Sequence, residues 1–536
     1  MVILPAPRSI ESVPEASFTI DDSTPLLAQG EDLLPVARWL SAEVSRFSGI
    51  TLALEPTDSP GIELVVEDAI TEDAATIGVR ADNLPLDRER YTLTVSSEGV
   101  RIAGASAEGV FRGATTLLHL ITQFASAGTA VVPGMIVNDA PALAWRGLSL
   151  DVVRTFHPVE TVNKVIDLLA LYKMNVLHLH LTDSEGWRFE VPTYPELTGV
   201  SGMTARGDRP GGFYIHQDYA EILAYAAERF ITVVPEFDSP GHTASVLRAY
   251  PELATAEILD SPEAMQYLHP DAPGVWDLVG AVYAEMARVH PGGRLHIGGD
   301  EAIAMDEETF SRYMAKALPA ARATGKGIVA WQETARAGFS EGDLMQWWIP
   351  PHLIERVQEA AANPEASWLT SSFPDPDVRE AFMNLFLQAP NDLPLAISQG
   401  ASIIISRADK LYLDTRYTES SSDPAQQADH DRVGMPQMVY GNGTVQDSFD
   451  WDPLTLDADL PFDRIAGIEA AIWCETIEDE YDLMFQILPR LAGVAEKAWS
   501  DAHDWADYQP RLAAQRLFWD AMGVNYFRSS VVWPEG

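Results

Sequence analysis

From Trp145 onward the chain alternates short apolar strand signals with amphipathic helical ones, and this alternation constrains the fold more than any other feature. The strand candidates are RGLSLDVV, NVLHLHLTD, FITVVPEFD, RLHIGGDE, GIVAWQE, LMQWW, ASIIIS and IAGIEAAIWCE. Helical patterns such as PVETVNKVIDLLALYK, QDYAEILAYAAERF and WDLVGAVYAEMARVH stand between them, and DLMFQILPRLAGVAEKAWS follows the last. Eight strand–helix units over roughly 350 residues predict an α/β fold closed into a (β/α)8 TIM barrel. A doubly wound open sheet rarely needs so many units.

The residues before Trp145 have a different texture. GIELVVED and YTLTVSSEGVRIAGA read as strands, with Gly99 closing a hairpin turn, and AEGVFRGATTLLHLITQF reads as one helix. The expected organisation is a small α+β domain over residues 1–140 and the barrel over 141–505. A C-terminal helix and tail, 506–536, would pack on the barrel. VVPGMIVNDAPALAWRG, with two prolines, is expected to connect the first two parts. Two long insertions, near residues 350–400 and 415–463, read as irregular βα loops, which in a barrel shape the mouth.

Composition removes several function classes. Asp and Glu outnumber Lys and Arg 79 to 36, for a net charge of -43. Nucleic acid and anionic membrane both reward clustered cations, so neither is an expected partner. A single cysteine, Cys474, excludes an intrachain disulfide, and its acidic and apolar neighbours do not favour a thiolate. The opening MVILPAPRSIESVPEASFTIDD lacks the basic and apolar regions of a secretory leader, so a cytoplasmic location is expected.

Polar and aromatic residues concentrate where the strands stop. Asp151 and Arg154 follow the first strand, and Asp183 follows the second. Glu236, Asp238 and His242 follow the third, Asp300 and Glu301 the fourth, Trp331 and Glu333 the fifth. Trp347 and Trp348 close the sixth, Tyr412 and Asp414 come after the seventh, and Trp473 and Glu475 end the eighth. The C-terminal ends of barrel strands are where active sites are built. Rings that pack on sugar faces, beside carboxylates and an arginine that bind hydroxyls, suggest carbohydrate chemistry. Glycoside hydrolysis ordinarily uses two carboxyl groups, roughly 5 Å apart for retention or about 6.5–9.5 Å apart for inversion. Adjacent strand residues point to opposite faces, so Asp300 and Glu301 make an awkward acid–nucleophile pair.

HIGGDEA, WRGLSLDVVRTF, LHLHLTDSEGWRFEV, VVPEFDSPGHT, VAWQE, YLD and WCE resemble the motifs of β-N-acetylhexosaminidases of glycoside hydrolase family 20, over roughly residues 140 to 500. The N-terminal part is similar to that family's small α+β domain. The resemblance implies a retaining, exo-acting enzyme in which the substrate's own 2-acetamido oxygen attacks the anomeric carbon. Glu301 would be the acid and then the base, Asp300 would orient the acetamido N–H, and Tyr412 would hydrogen-bond its oxygen. Trp331, Trp348 and Trp473 would wall the pocket, with strand register deciding between Trp347 and Trp348. Arg154, Asp414 and Glu475 would hold sugar hydroxyls, and Asp183 with His242 would tune the acid's affinity for a proton. No metal or organic cofactor is implied. The partner would be an oligosaccharide or glycoconjugate with terminal N-acetylglucosamine or N-acetylgalactosamine, and the protein a monomer or homodimer. Ser184 and Glu185 depart from the family's usual TDDQGW and put contacts at the rim in question.

Three alternatives stand beside this reading. A disaccharide-releasing relative of the same family needs a second open subsite. A metal-dependent amidohydrolase barrel is suggested by His178 and His180 on one strand face, but such enzymes carry the pair on the first strand and add a lysine absent from these strand ends. Histidines satisfied by hydrogen bonds in the core are the simpler account. A non-catalytic sugar-binding barrel would not need both Asp300 and Glu301. Trp145, Trp187, Trp276 and Trp499 read as core, and Asp306, Glu307 and Glu308 as favourable charges at a helix start.

Overall fold

The computed structural model describes residues 2–54, 59–67, 76–362, 368–372, 375–433, 441–501 and 504–534. Before the barrel lies a mixed sheet of β1 (Ser9–Ile20), β2 (Leu26–Ala28), β3 (Ile62–Val66), β4 (Tyr91–Ser96), β5 (Gly99–Gly104), β6 (Ala125–Ser126) and β7 (Thr129–Asp139). Its order is β1-β7-β4-β5-β3-β2, with β6 paired to β7. Gly99 opens β5 with φ +139°, a value that L side chains rarely adopt, so the β4–β5 turn needs glycine there. Two helices, α1 (Leu34–Ser48) and α2 (Ala107–Phe124), pack with the sheet. Helix α2 is buried on almost every side because the barrel covers what the sheet does not. There, Arg112 Nη2 donates to Phe230 O and His119 Nε2 pairs with Leu171 O.

The connector expected over VVPGMIVNDAPALAWRG is much shorter. Residues 131–139 belong to β7, which pairs with both β1 and β4. Pro133 is tolerated because it lies beyond the end of β4 and opposite a register break in β1 between Ser12 and Ser17.

Eight parallel strands then close a barrel: β8 (Trp145–Asp151), β9 (Val176–His180), β10 (Thr232–Glu236), β11 (Arg294–His296), β12 (Gly327–Trp331), β13 (Leu344–Trp347), β14 (Ser402–Ile405) and β15 (Ile465–Ile472). The fold is the (β/α)8 barrel that the alternation implied. Its floor is an apolar cluster that includes Trp145, Val176, Val234, Val329, Leu344 and Ile404. Above the floor the interior turns polar. Glu469 accepts from Trp145 Nε1 at 2.7 Å and from Gln346 Nε2 at 3.0 Å, and pairs with His178 Nδ1 at 2.9 Å. Glu236 then meets His178 Nε2 at 3.2 Å and His296 Nδ1 at 2.9 Å, and bonds His180 Nδ1. Burial alone would lower the His178 pKa, but Glu236 and Glu469 outweigh it and hold it at about 9. His178 pairs with Glu469 and Glu236 inside the barrel, whereas His180, paired with Glu236 and Asp183, stands at the cleft rather than in the core.

Two further expectations need correction. The described residues of 350–400 are largely helical rather than irregular, through Pro351–Ala362, Trp368–Ser372, Pro376–Gln388 and Asp392–Ser398. Apolar residues at helical spacing (Leu353 and Val357, Phe382 and Phe386) build a small core that continues into Trp331, Trp348 and Tyr412 at the barrel mouth. After β15, the helical pattern divides into Glu480–Ile487 and Arg490–Trp499 at Pro489, which lacks an N–H for a continuous helix. Asp306 does cap the helix Glu307–Arg322, accepting from Thr309 N at 2.8 Å. Trp145, Trp187 and Trp499 are buried, and Trp276 is partly so.

Candidate active site

The C-terminal ends of the strands meet in a cleft lined by Arg154, His180, Asp183, Asp238, His242, Asp300, Glu301, Trp348, Tyr412, Asp414, Trp473 and Glu475. Asp300 and Glu301 are not strand neighbours, because β11 ends at His296. Gly298 and Gly299 take φ +71° and +103°, and Glu301 takes φ +40°. This left-handed turn, uncommon for a residue with a side chain, brings both acids into one cleft. Strand alternation, which suggested opposite faces, does not operate there. The glycines also make room: a Cβ on Gly298 would lie 1.9 Å from Asp238 Oδ1 and 2.5 Å from Asp238 Cα.

His242, itself at φ +53°, faces both acids. Its Nε2 lies 3.5 Å from Glu301 Oε2 and 3.8 Å from Asp300 Oδ2, while Nδ1 pairs with Asp183 Oδ1 at 3.1 Å. Burial works against a charged imidazole, but Asp183 and Asp300 overcome it and hold His242 well above its ordinary range. Asp183 is held well below the carboxylate range, because Arg154 and His242 outweigh its burial. Asp300 is pushed well above that range, first by burial and then by Asp238. Its Oδ1 is buried without a hydrogen-bond partner.

On the far side, Asp151 accepts from Val153 N, Arg154 N and Cys474 N, tying the end of β8 to the end of β15. Arg154 Nη2 lies 2.6 Å from Asp183 and 4.0 Å from Glu475, with its guanidinium 5.4 Å from the Trp473 ring. Burial and the neighbouring Glu475 push Asp414 up to about 8. Both Asp414 oxygens and Glu475 Oε2 are buried and unpartnered. Buried acceptors left open in this way fit a ligand that brings hydroxyl donors.

The aromatic residues divide. Trp348 and Tyr412 stand parallel at 6.4 Å, and Tyr412 meets Trp473 edge-on at 5.8 Å. Trp331 lies behind the lining, 5.9 Å from Trp473, donating through Nε1 to Glu236. Trp347 is outside the cleft, packed in the main core with Arg407 over its ring. Adjacent positions at the end of β13 face opposite ways, so only one of the pair can reach the mouth.

His180 and Asp238 line the cleft without having been singled out for the site. The HLH pattern reads as core, and Asp238 stands among the strand-end acids without a role of its own. Arg209 is a further omission: it donates to Cys474 O at 2.7 Å and to Glu475 O at 2.8 Å, which holds Glu475 in place. Nothing in its local pattern marks it. Cys474 is buried, with its thiol pushed well above the usual range by burial and Asp151. Among the described residues, no helix is long and apolar enough to cross a membrane.

Two family models match the chain. "Glycosyl hydrolase family 20, catalytic domain" covers residues 143–502, and "Glycosyl hydrolase family 20, domain 2" covers 1–140. A β-N-acetylhexosaminidase of Cellulomonas fimi is 33% identical over 100% of this chain and 97% of its own length. The solved GH20 β-N-acetylhexosaminidase from Streptomyces coelicolor A3(2) superposes with a TM-score of 0.80 at 32% identity, covering 98% of this chain and 97% of that one. A mutant β-hexosaminidase of Streptomyces plicatus, solved in complex with product (GlcNAc), also gives 0.80 at 32% identity, over 98% and 96% of the two chains.

Proposed function

The chain belongs to glycosyl hydrolase family 20 and is a glycoside hydrolase of the β-N-acetylhexosaminidase type; from that premise we propose that it releases terminal non-reducing N-acetyl-β-D-hexosamine by substrate assistance, with Asp300 and Glu301 in separate roles. The observation that carries this division is their shared cleft, where one imidazole nitrogen lies within 3.8 Å of both carboxylates. Two acids on one loop, facing one imidazole, are poorly placed to flank a glycosidic bond from opposite sides. That placement supports a nucleophile supplied by the substrate, as the family's mechanism has it, over a second enzyme carboxylate.

The acetamido carbonyl oxygen forms a bond to the anomeric carbon as the glycosidic C–O bond breaks. Glu301 gives its proton to the departing oxygen, and an oxazolinium forms. Asp300 accepts the acetamido N–H. Its buried setting makes an isolated negative charge costly, so the positive charge developing on the nitrogen is what favours its anion. Tyr412 donates to the acetamido oxygen, between Trp348 and Trp473. Water then attacks the anomeric carbon as its bond to the acetamido oxygen breaks, Glu301 takes the water's proton, and the β-configured sugar leaves with its acetamide restored. Arg154, Asp414 and Glu475 receive the sugar hydroxyls, and the Asp183–His242 pair sets the charge beside Glu301.

Two substitutions test the assignment. Glu301→Gln should cost about 10²–10⁴-fold for poor leaving groups, and much less for acidic phenols that depart without protonation. Asp300→Asn should cost about a hundredfold or more in kcat for all leaving groups alike, because it acts on the nucleophile. An Asp300→Asn enzyme with near-normal rates and undiminished affinity for a thiazoline analogue of the intermediate would overturn the assignment.

A further inference from the structure

We propose that a groove beside the sugar cleft receives the leaving-group end of the substrate and selects one that carries a primary ammonium, such as a hexosamine whose nitrogen is not acetylated. The proposal rests on the hexosaminidase reading and adds the class of aglycone. The groove has a volume of about 600 Å³. One wall is Gly299 and Ala302–Met305, and the other is the helix Pro376–Gln388 of the 350–400 insertion. Gly299 and Ala302 flank Asp300 and Glu301 in the chain, so the groove and the cleft are built on the same loop.

The groove's charge is one-sided. Asp306, Glu307, Asp377 and Glu380 stand exposed along it. Among its described lining residues the only cation is Arg336, whose Nε and Nη2 are both taken by Asp392 at 2.8 Å. An independent sign of a ligand lies at the floor. Glu333 is 1% exposed and lines the groove; its Oε2 accepts from Trp348 Nε1 at 3.2 Å, and its Oε1 has no hydrogen-bond partner. Burial and then Asp300 push the Glu333 carboxyl up to about 8, so an ammonium entering the groove both satisfies the open oxygen and favours the anion that burial disfavours.

A metal ion fits less well. Among the described residues, the His, Asp and Glu groups close enough to grip one lie inside the barrel and at the Asp238–His242–Asp300 cluster. The groove's acids are instead spread along its length, and Met305 and Phe310 supply apolar surface between them. That arrangement suits an ammonium carried on a sugar ring. It also separates the two ends of the substrate chemically: the cleft takes the acetylated nitrogen and the groove takes the free one.

The experiment compares kcat/KM at about pH 6, where a primary amine is charged, for three substrates. These are N-acetylglucosaminyl-β-1,4-glucosamine, the fully acetylated disaccharide, and an aryl N-acetylglucosaminide. At low salt the enzyme should favour the glucosamine-bearing disaccharide by about threefold to tenfold, as expected for a few partly exposed charge contacts. The preference should shrink in high salt and in Asp377→Asn/Glu380→Gln, while the aryl substrate turns over as before. Equal rates for the two disaccharides, or a preference that survives both salt and the double variant, would overturn the proposal and leave the hexosaminidase reading intact. Failure to hydrolyse the aryl substrate would instead overturn that reading, and the aglycone proposal with it.

Discussion

At the scale of single residues, the site is assembled from groups held against their ordinary preferences. Glu301 and His242 both occupy left-handed backbone, which L side chains seldom adopt and which the surrounding structure must enforce. Asp414 shows the electrostatic counterpart. Its carboxyl titrates near 4 in an unfolded chain and at about 8 here, because burial and Glu475 disfavour its charge. The folded state therefore binds the extra proton between those values, so this contribution to stability is full below about pH 4 and is lost as pH rises to about 8. Asp414→Asn cannot ionise. It should match the parent at pH 4 and exceed it at pH 8 by on the order of a few kcal/mol, while binding sugar less well. Denaturant titrations at the two pH values check this, and a gain that is the same at both would contradict it.

At the scale of elements, the 350–400 insertion is tied to the cleft by a short polar relay. Arg336 pairs with Asp392 through two hydrogen bonds, and Gln332 Nε2 donates to the same carboxylate at 3.2 Å. Gln332 Oε1 then accepts from Trp348 N and Ile349 N, and Glu333 accepts from the Trp348 indole. The backbone and the ring of a cleft residue are thus both held by the loop that anchors the insertion. Asp392→Ala would strand the largely buried Arg336 guanidinium, a change worth about 3–5 kcal/mol for a broken buried pair. Limited proteolysis should then cut within residues 351–398 much faster, and KM for acetamido sugars should rise more than kcat falls. Unchanged proteolysis would show that the insertion is anchored by its apolar core alone.

At the scale of the whole molecule, the N-terminal domain and the barrel share buried charges and are expected to unfold together. Glu89 accepts from Arg80 Nη1 at 3.0 Å, from Arg112 Nε at 2.8 Å, and from Arg146 of β8. Burial pushes its pKa up, but the arginines prevail and hold it at about 2. This stabilisation is present above the unfolded value near 4.5 and is lost as pH falls through about 2. Asp139 joins the same boundary, pairing with Lys173 Nζ at 3.0 Å and accepting from Trp499 Nε1. Glu89→Gln should destabilise by about 3–5 kcal/mol and should shift one calorimetric transition downward as a whole. A separate early transition for the N-terminal domain would mean that these contacts do not couple the two parts.

The amino-acid sequence by itself determined the barrel, because eight apolar strands alternating with amphipathic helices leave little else to form. It also marked nearly all of the cleft, since polar residues that follow apolar strands stand out locally: Arg154, Asp183, His242, Asp300, Glu301, Trp348, Tyr412, Asp414, Trp473 and Glu475 line one space. What it could not convey are relations between residues distant in the chain or set by backbone turn. Pro133 reads as a connector until β1 is seen to break register opposite it. Trp347 and Trp348 are equivalent until the end of β13 sends one to the core and the other to the mouth. Asp300 and Glu301 face opposite ways by strand rules, and share a cleft only because β11 stops at His296 and the chain turns left-handed after two glycines. Arg209 and Glu475 lie 266 positions apart, so the hydrogen bond that joins them exists only once the chain has folded. Periodicity is a local property and survives in one dimension; register, turn handedness and long-range polar pairing depend on packing that only the tertiary structure supplies.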